Sequence, residues 1–324
     1  MSDDTASGAA TSSEDLVRAA VWTPEQQVQE LKRRRQRSVP SKTEGDFSFT
    51  PRPTDVIVAV PSKHGTTWLL HIVHQLRMNG AEPDFKEQEE VVAWIERSQA
   101  LYGEDPNTKL QPAEPRLFFS HLPYNRVPKG GKLIYCYRNL EDAMYFLYRF
   151  MDSIWSLQGR VSLLVFVNTL IDDLDIIALV LNDLLVWWEH RHDDDVLFLL
   201  FDDLKEDHAG CVHRIAKFIG IDCDESLHTR VVHTTTHAEM VRHHSKFDTH
   251  RATITYAKWF GEEPPTEFSG RVRKDGGKSG DGQKLPPEVK QYIKEKWQEI
   301  VTAKLGFQNL KEMREAWHKE QKQN

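Results

Sequence analysis

The chain has 324 residues, which is enough to bury a large core and predicts one or two domains, with one large α/β domain preferred. Lys and Arg total 42 against 49 Asp and Glu, so the net charge of −7 excludes a globally basic surface for nucleic acid or an anionic membrane. Any anion site must therefore be locally positive.

The N-terminal region, residues 1–45, is predicted to be a tail that is partly disordered and contains a basic helical segment, followed by a domain over residues 46–324. Residues 1–15 are small, polar and acidic, and they lack the basic flank and apolar core of a secretory signal. The basic run at residues 32–37 is interpreted as a solvated helix face, with a nuclear address and a phosphate-binding arm as alternatives.

The cysteines and histidines argue against a metal site. Cys136, Cys211 and Cys223 are odd in number and lack metal spacing, which predicts reduced thiols in a cytoplasmic compartment. Among the 15 histidines, His190 and His192 are two residues apart, so a helix would not place them on one face. We therefore predict no metal centre.

An apolar run that breaks into a polar loop, over residues 56–68, is the most informative stretch. The run up to Val60 is rich in β-branched residues and predicts a strand buried on both faces. The loop that follows contains Lys63, Gly65, Thr66 and Thr67. Unpaired N–H groups at a helix start, together with a lysine and two hydroxyls, suit phosphate or sulfate. An ordinary strand-to-helix turn is the alternative on these residues alone.

The segment after this loop has the spacing of an amphipathic helix that stops near Gly80. Its predicted buried residues are Trp68, Leu69, Ile72, Val73 and Leu76. The positions predicted to face water are His71, His74, Gln75 and Arg77.

Further strands are predicted at residues 117–119, 133–137 and 196–201, the last followed by a helix over 209–219 that Gly220 closes. Strands that alternate with helices predict a mostly parallel sheet covered on both sides. Ligands bind such sheets beyond the carboxyl ends of the strands. The polar residues that follow three of these strands are Lys63, His121 and Arg138.

Three segments in the second half complete the predicted organisation. Residues 162–188 are apolar but contain four aspartates, which predicts buried or partner-contacting helices and no membrane span. Residues 271–284 are a Gly- and Lys-rich loop, interpreted as a linker or a second phosphate clamp. From Pro286 the pattern predicts a helix that docks on the core.

Six motifs occur in a fixed order along the chain. They are Pro61–Trp68, His121–Pro123, Arg138–Asp142, Phe201–Asp207, Thr235–Met240 and Arg273–Asp281. Together they resemble the cytosolic-type sulfotransferases, whose patterns read roughly P-K-S-G-T-T-W, H-L-P, R-N-x-x-D, Y-E-D-L-K-E-D, T-S-F-K-E-M and R-K-G-x-x-G-D. The resemblance implies a single α/β domain, with a central mostly parallel sheet flanked by helices and a P-loop-like phosphosulfate-binding loop.

The resemblance also implies an activity and a set of site residues. The activity is transfer of a sulfuryl group from 3′-phosphoadenosine 5′-phosphosulfate to a hydroxyl or amine of a small-molecule acceptor, with no metal required. His121 would be the base, and Lys63 would neutralise the bridging oxygen of the leaving group. The implied cofactor-binding residues are Lys63, His64, Gly65, Thr66, Thr67, Trp68, Arg138, Phe146, Phe201, Thr235, His237, Arg273, Lys274 and Gly277.

Four positions depart from the family pattern. His64 replaces a serine, Phe119 stands where a lysine is frequent, Phe146 replaces a serine that contacts the 3′-phosphate, and Gly282 replaces a tryptophan. A phenyl ring cannot donate a hydrogen bond, and a buried unpaired phosphate oxygen costs about 1 to 3 kcal/mol. These departures predict weakened or altered cofactor binding.

Two functions of different class follow from these residues. The preferred one is an active sulfotransferase, in the cytoplasm and as a possible homodimer; the alternative is a catalytically degenerate member that serves as a nucleotide-binding or scaffold protein. A kinase-like enzyme is disfavoured because no carboxylate for magnesium adjoins the loop. The acceptor pocket is predicted to form from residues 85–112, 140–190 and 240–258.

Overall fold

The computed structural model describes residues 22–38, 48–266, 268, 271–272 and 280–323. Its centre is a five-stranded sheet in the order β2-β3-β1-β4-β5, and every pairing between these strands is parallel. The strands are β1 (Val56–Ala59), β2 (Ala93–Trp94), β3 (Leu117–Ser120), β4 (Lys132–Tyr137) and β5 (Val196–Leu200). The predicted parallel sheet is confirmed, and the two-residue β2 is an addition that the sequence did not indicate.

The helices surround this sheet. They are α1 (Pro24–Ser38), α2 (Thr66–Arg77), α3 (Ser98–Tyr102), α4 (Leu140–Ile154), α5 (Leu163–Leu174), α6 (Ile176–Glu189), α7 (Phe201–Glu206), α8 (His208–Ile219), α9 (Glu225–Thr234), α10 (His237–Arg242), α11 (His250–Phe260), α12 (Pro287–Lys296), α13 (Ala303–Leu305) and α14 (Leu310–Gln321). Single 3₁₀ turns lie at Gln88–Glu90, His244–Phe247 and Asp281–Lys284, and a π-helical turn at Trp297–Thr302 joins α12 to α13. None of the described helices is long and apolar enough to cross a bilayer.

Each face of the sheet packs against its own set of helices. Val56 and Val58 of β1 point into a core formed with α2, α8 and α9. Ile57 and Ala59 point into the opposite core, which α4, α6 and α12 supply. Because both faces are covered, the strands read as continuous apolar runs with no alternation, which is why they were recognisable in the sequence.

Helix α2 corrects one expectation. His71, His74, Gln75 and Arg77 were predicted to face water, yet each is at most 5% exposed. Helix α9 covers one side, where His71 Nε2 lies 3.3 Å from the Thr234 carbonyl oxygen. On the other side Arg77 donates to Gln111 and to the Val91 carbonyl. The prediction was wrong because distant segments wrap a helix whose own pattern is amphipathic.

The remaining helical predictions hold. The apolar stretch 162–188 forms α5 and α6, broken at Asp175, and its aromatic side chains Phe166, Trp187 and Trp188 enter the core, whereas Leu164, Leu174 and Leu179 are exposed. Helix α8 ends at Gly220, whose φ of +79° is the left-handed conformation expected of a terminating glycine. The apolar positions predicted beyond Pro286 are all buried.

The N-terminal basic segment is helix α1, which packs against α5 and α11. Lys32 matches the predicted solvated face, with its side chain 47% exposed. Arg34 departs from it, because it is buried and its Nη2 lies 2.5 Å from Glu262 Oε1. The domain boundary at residue 45 stays a prediction, since residues 39–47 lie outside the described part of the chain.

Candidate active site

Three strand ends bring together the three predicted polar residues. Lys63 follows β1, His121 follows β3 and Arg138 follows β4, and these strands are neighbours in the order β3-β1-β4. Their charges interact, because Lys63 contributes to lowering the pKa of His121. The predicted placement at the carboxyl edge of the sheet is confirmed.

The loop between β1 and α2 leaves donors without protein partners. Gly65 is the residue before α2, with a φ of +104°, and no side chain caps the helix start. The first loop-to-helix backbone bond is donated by Leu69 to the Gly65 carbonyl, so the N–H groups of the first turn are available for an anion. The buried hydroxyl of Thr66 also lacks a partner among the described residues, and Thr67 is half-buried beside it.

Lys63 lies at the entrance to this cradle in a left-handed conformation, with a φ of +70°. Its Nζ stands 3.1 Å from the centroid of the Phe150 ring. Burial lowers the pKa of Lys63 well below its usual value, Arg271 lowers it further and Glu89 opposes them. An anion bound here would raise the pKa of Lys63 and favour its ammonium form, because opposite charges favour the ionised form.

His121 has the geometry of a base. Its Nδ1 lies 2.7 Å from the Val60 carbonyl oxygen, and since a carbonyl only accepts, Nδ1 carries the hydrogen and Nε2 keeps its lone pair. Burial lowers the pKa of His121 to about 4, so the imidazole is neutral at physiological pH. The backbone N–H of His121 donates to Glu96 Oε1 at 2.7 Å. This residue lines a cavity of about 220 Å³.

His64 takes a structural position beneath the loop. It is 1% exposed, its Nδ1 is 3.0 Å from the Ser62 carbonyl oxygen, and its ring packs 5.1 Å from Tyr137. Burial lowers the pKa of His64 to about 4. The residue is therefore uncharged at neutral pH, and its Nε2 has no partner among the described groups.

Arg138 is held between two phenyl rings. Its guanidinium carbon lies 4.5 Å from the Phe146 centroid and 4.3 Å from the Phe201 centroid. Its Nη2 is 3.6 Å from Asp142 Oδ2, yet neither Nε nor Nη2 has a hydrogen-bond partner within the described chain. Burial lowers the pKa of Arg138 and Asp142 raises it. Buried N–H groups without acceptors are costly, so the guanidinium fits an anion that would satisfy them.

Two of the residues predicted to bind adenine are aromatic, and the space between their rings is narrow. The rings of Trp68 and Phe201 are 5.8 Å apart and nearly perpendicular. A base stacked between two rings needs about 7 Å, twice a van der Waals spacing of ~3.5 Å, so the rings must separate slightly and turn. The indole N–H of Trp68 donates to the Thr235 carbonyl at 2.8 Å.

The other predicted adenine residues occupy different positions. Thr235 is fully buried, and its hydroxyl donates to the Val231 carbonyl at 2.7 Å and lies 3.0 Å from His208 Nε2. His237 is exposed at the start of α10. His208 itself, whose ring is 5.2 Å from Trp68, was missed, although it directly follows the Phe201–Asp207 motif.

The departures from the family pattern have visible structural partners. Phe119 is buried and stacks on Trp94 with a centroid distance of 5.1 Å. A Cβ atom at Gly282 would lie 2.5 Å from the Cβ of Glu141 and 2.8 Å from the backbone nitrogen of Asp142, so no side chain fits there. Arg273, Lys274 and Gly277 lie outside the described residues, and their predicted phosphate contacts stay predictions.

The cavity beside His121 takes its lining from all three segments predicted for the acceptor pocket. Trp94, Glu96 and Arg97 come from the first, Phe150 and its neighbours from the second, and Tyr256 from the third. Arg271 was missed at this site. No periodic pattern marks such residues, because they lie on loops and helix faces far apart in the sequence.

Cys136, Cys211 and Cys223 are free thiols, and burial raises the pKa of all three. Within the described ranges no three His, Cys, Asp or Glu side chains are arranged to hold a metal ion. That the reaction needs no metal stays a prediction.

Comparison with known proteins gives the family of the chain. Residues 53–306 match the model of the sulfotransferase domain. Sulfotransferase 4A1 of Homo sapiens is 32% identical over 193 residues, which are 57% of this chain and 66% of that protein. The amine sulfotransferase of Oryctolagus cuniculus is 27% identical over 198 residues, covering 59% of this chain and 64% of that protein. The matched stretch thus spans just under two thirds of these relatives' length.

Among solved structures, retinol dehydratase in complex with androsterone and the inactive cofactor PAP superposes with a TM-score of 0.61. The two chains are 18% identical over 79% of this chain and 82% of that one, which shows a shared fold.

Proposed function

The chain belongs to the sulfotransferase domain family, and we propose that it transfers a sulfuryl group from 3′-phosphoadenosine 5′-phosphosulfate to a hydroxyl or amine of a small-molecule acceptor. The observation that carries this proposal is His121, a neutral imidazole with a free Nε2 at the wall of a cavity, beside the Lys63 ammonium group. The names of the relatives give independent support: one is an amine sulfotransferase, and one superposable structure contains PAP and a small molecule.

We assign each step of the reaction to a residue of the candidate site. His121 Nε2 takes the proton of the acceptor hydroxyl or amine as the new bond to sulfur forms. Lys63 neutralises the bridging oxygen, on which charge develops as the old sulfur–oxygen bond breaks and adenosine 3′,5′-bisphosphate leaves. The N–H groups at Gly65, Thr66 and Thr67 hold the 5′-phosphate.

Arg138 binds the 3′-phosphate in this assignment, because its Nε and Nη2 have no acceptor among the described groups. Arg273 and Lys274 are proposed to join it, on the strength of the motif alone. Trp68 and Phe201 provide the stacking surface for adenine once their rings separate.

Calorimetric titration with adenosine 3′,5′-bisphosphate tests this assignment, with adenosine 5′-monophosphate as the control ligand. We expect binding that requires the 3′-phosphate, and a Kd about 10- to 100-fold weaker in Arg138→Ala, since a hydrogen bond to a charged group contributes about 1.5 to 3 kcal/mol. Lys63→Ala should also weaken the binding of adenosine 3′,5′-bisphosphate. Equal affinity for both nucleotides would contradict the role of Arg138.

The second candidate is a catalytically degenerate protein of the same fold that binds a nucleotide or acts as a scaffold. Two aromatic side chains favour it. Phe119 and Phe146 occupy positions where the family carries hydrogen-bond donors, and the Phe146 ring packs against the Arg138 guanidinium. Absence of binding at millimolar bisphosphate, with the protein folded by circular dichroism, would favour this function over the first.

Three further properties are proposed from the same resemblance. The protein is cytoplasmic, it pairs as a homodimer, and it needs no metal. Sedimentation at micromolar concentration tests the pairing, turnover in the presence of excess chelator tests the metal, and imaging of a tagged chain tests the location.

A further inference from the structure

Arginine side chains surround the cavity next to His121. Arg97, Arg126 and Arg271 line it, whereas Glu96 is the only carboxylate among its described lining residues. Lys63 adds a fourth cation nearby, because its charge acts on His121. This cluster is unexpected in a chain of net charge −7. It needs an explanation beyond the binding of the phosphosulfate.

Arg97 is the cation with the least compensation. Its Nη1 donates to the carbonyl of Ser38, a neutral acceptor, and its guanidinium carbon lies 5.8 Å from the Trp94 ring. No carboxylate of the described chain forms an ion pair with it. A half-buried guanidinium that keeps unused N–H groups beside a cavity is a receptor for an anion.

Arg271 also lines the cavity, and it forms an ion pair with Glu89, which is 1% exposed. The charges of Arg271 and Glu89 offset each other, but Arg271 still lines the cavity. Glu96 supplies one carboxylate against three arginines in the lining, and its Oε1 accepts from the His121 backbone N–H. The balance of charge along the lining is therefore positive.

The remaining walls are apolar and aromatic. Phe150, Met151, Trp155 and Tyr256 line the cavity between the arginines and His121. Its volume of about 220 Å³ lies below the ~300 to 1,000 Å³ of sites for drug-sized ligands. The space suits one small aromatic molecule with an anionic end.

On the basis of the proposed sulfuryl transfer, we propose that the acceptor is a small aromatic alcohol or amine that carries a carboxylate. The carboxylate binds Arg97, with Arg271 beside it, and the hydroxyl or amine points to His121 Nε2. Aromatic walls hold the ring between these two ends.

Binding of three matched phenols tests this substrate class without any turnover. The probes are 4-hydroxyphenylacetate, which is anionic, 4-hydroxyphenylacetamide, which is neutral, and tyramine, which is cationic. We expect calorimetry to show the anion binding about 10-fold or more tighter than the amide, and tyramine weakest. Equal affinity for all three, or preference for tyramine, would overturn the proposal.

Variants of Arg97 assign the selectivity to this residue. Arg97→Gln should weaken binding of the carboxylate about 10- to 100-fold and leave the amide unchanged, while Arg97→Lys, which keeps the charge, should restore part of the preference. Arg52→Gln, at the opposite end of the sheet with its side chain 58% exposed, is the matched control and should change neither. Thermal melting of each variant shows whether it is folded.

The failure of this inference is distinguishable from failure of the enzyme assignment. If Arg97→Gln weakens adenosine 3′,5′-bisphosphate instead of the carboxylate, Arg97 belongs to the cofactor site and the proposal is wrong. If the chain binds no bisphosphate but still selects the carboxylate through Arg97, the cavity is an anion site of a degenerate protein. That result would overturn the acceptor assignment and leave only the binding site.

Discussion

Arg138 shows how one side chain combines predicted chemistry with an environment that the family pattern does not anticipate. Its guanidinium lies over the rings of Phe146 and Phe201 and gains cation–π attraction from both. Two of its nitrogens lack acceptors among the described residues, and a phosphate could satisfy both of them in a bidentate pair. The arginine is therefore suited to an anion, and a phenyl ring stands beside it where the family carries a serine.

Replacing Phe146 by serine is expected to strengthen binding of adenosine 3′,5′-bisphosphate. The hydroxyl adds one donor for the 3′-phosphate, which corresponds to about 5- to 100-fold in Kd. Loss of the buried ring should at the same time lower the free energy of unfolding by about 2 to 4 kcal/mol. Calorimetry of Phe146→Ser against Phe146→Ala separates the hydroxyl from the removal of the ring. Identical affinities in the two variants would refute the role given to the hydroxyl.

His121 is expected to keep its activity in mildly acidic solution. Its pKa of about 4 lies below the usual ~6.5, so kcat/KM should stay flat from about pH 7.5 to 5.5, where an ordinary histidine base would lose about tenfold. The rate should fall only as pH approaches 4 and His121 becomes protonated. His121→Asn should lower kcat about 100-fold or more and leave bisphosphate affinity unchanged. A rate that halves near pH 6.5 in the wild type would contradict the lowered pKa of His121, and an unchanged kcat in His121→Asn would contradict its role as the base.

At the scale of elements, α2 performs two tasks that constrain each other. Its N-terminus presents the donors at Thr66 and Thr67, and its body is buried on nearly every side. Histidines within it must therefore be neutral. Nδ1 of His74 lies 3.2 Å from Arg77 Nε and 3.0 Å from Arg77 Nη2, so it accepts from a guanidinium. Protonation of His74 would place two donors face to face inside the core.

The variant His74→Asn is expected to flatten the dependence of stability on pH. Burial lowers the pKa of His74 to about 3, so between its unfolded value of ~6.5 and that pKa the unfolded chain binds the extra proton. Stability linked to His74 is therefore present above pH ~6.5 and is lost as pH falls. The wild type should lose about 2 kcal/mol relative to His74→Asn between about pH 7.5 and 5. Urea denaturation of both proteins measures this difference, and parallel curves would disprove the linkage.

At the scale of the molecule, the N-terminal helix supports the acceptor cavity. Arg34 of α1 donates to the carbonyl of Trp155, which lines the cavity, and it pairs with Glu262 just beyond α11. Its Nε also bonds Glu30 at 2.6 Å within α1. This side chain therefore connects α1 to the cavity wall and to the segment just beyond α11.

Arg34→Met should therefore destabilise the whole domain and loosen the cavity. Glu262 and the Trp155 carbonyl lose their donor, which we expect to cost about 1 to 3 kcal/mol, below the value for a fully buried pair because the Glu262 side chain is 34% exposed. The KM for the acceptor should rise while bisphosphate affinity is unchanged. Lys32→Met is the control, since its exposed pair with Asp173 contributes at most ~1 kcal/mol. Equal denaturation midpoints for both variants would exclude this role of α1.

The sequence by itself determined four of the five strands of the sheet and the edge at which the candidate site lies. Buried parallel strands read as apolar runs, and Lys63, His121 and Arg138 each follow one, so their meeting at one edge could be expected from local patterns. The loop before α2 and the family were recognisable for the same reason, because a short contiguous motif builds that cradle.

The tertiary structure decided what surrounds those residues. Burial of α2, the Phe201 ring on Arg138, and the arginine-lined cavity depend on contacts between segments distant in the sequence, such as Arg138 with Phe201 and His71 with Thr234. Hydrophobic periodicity shows only which face of a helix or strand is apolar, because it is read from the residues of that segment alone. It carries no information on which distant side chain will cover the other face, and those contacts decide the charge of the cavity beside His121.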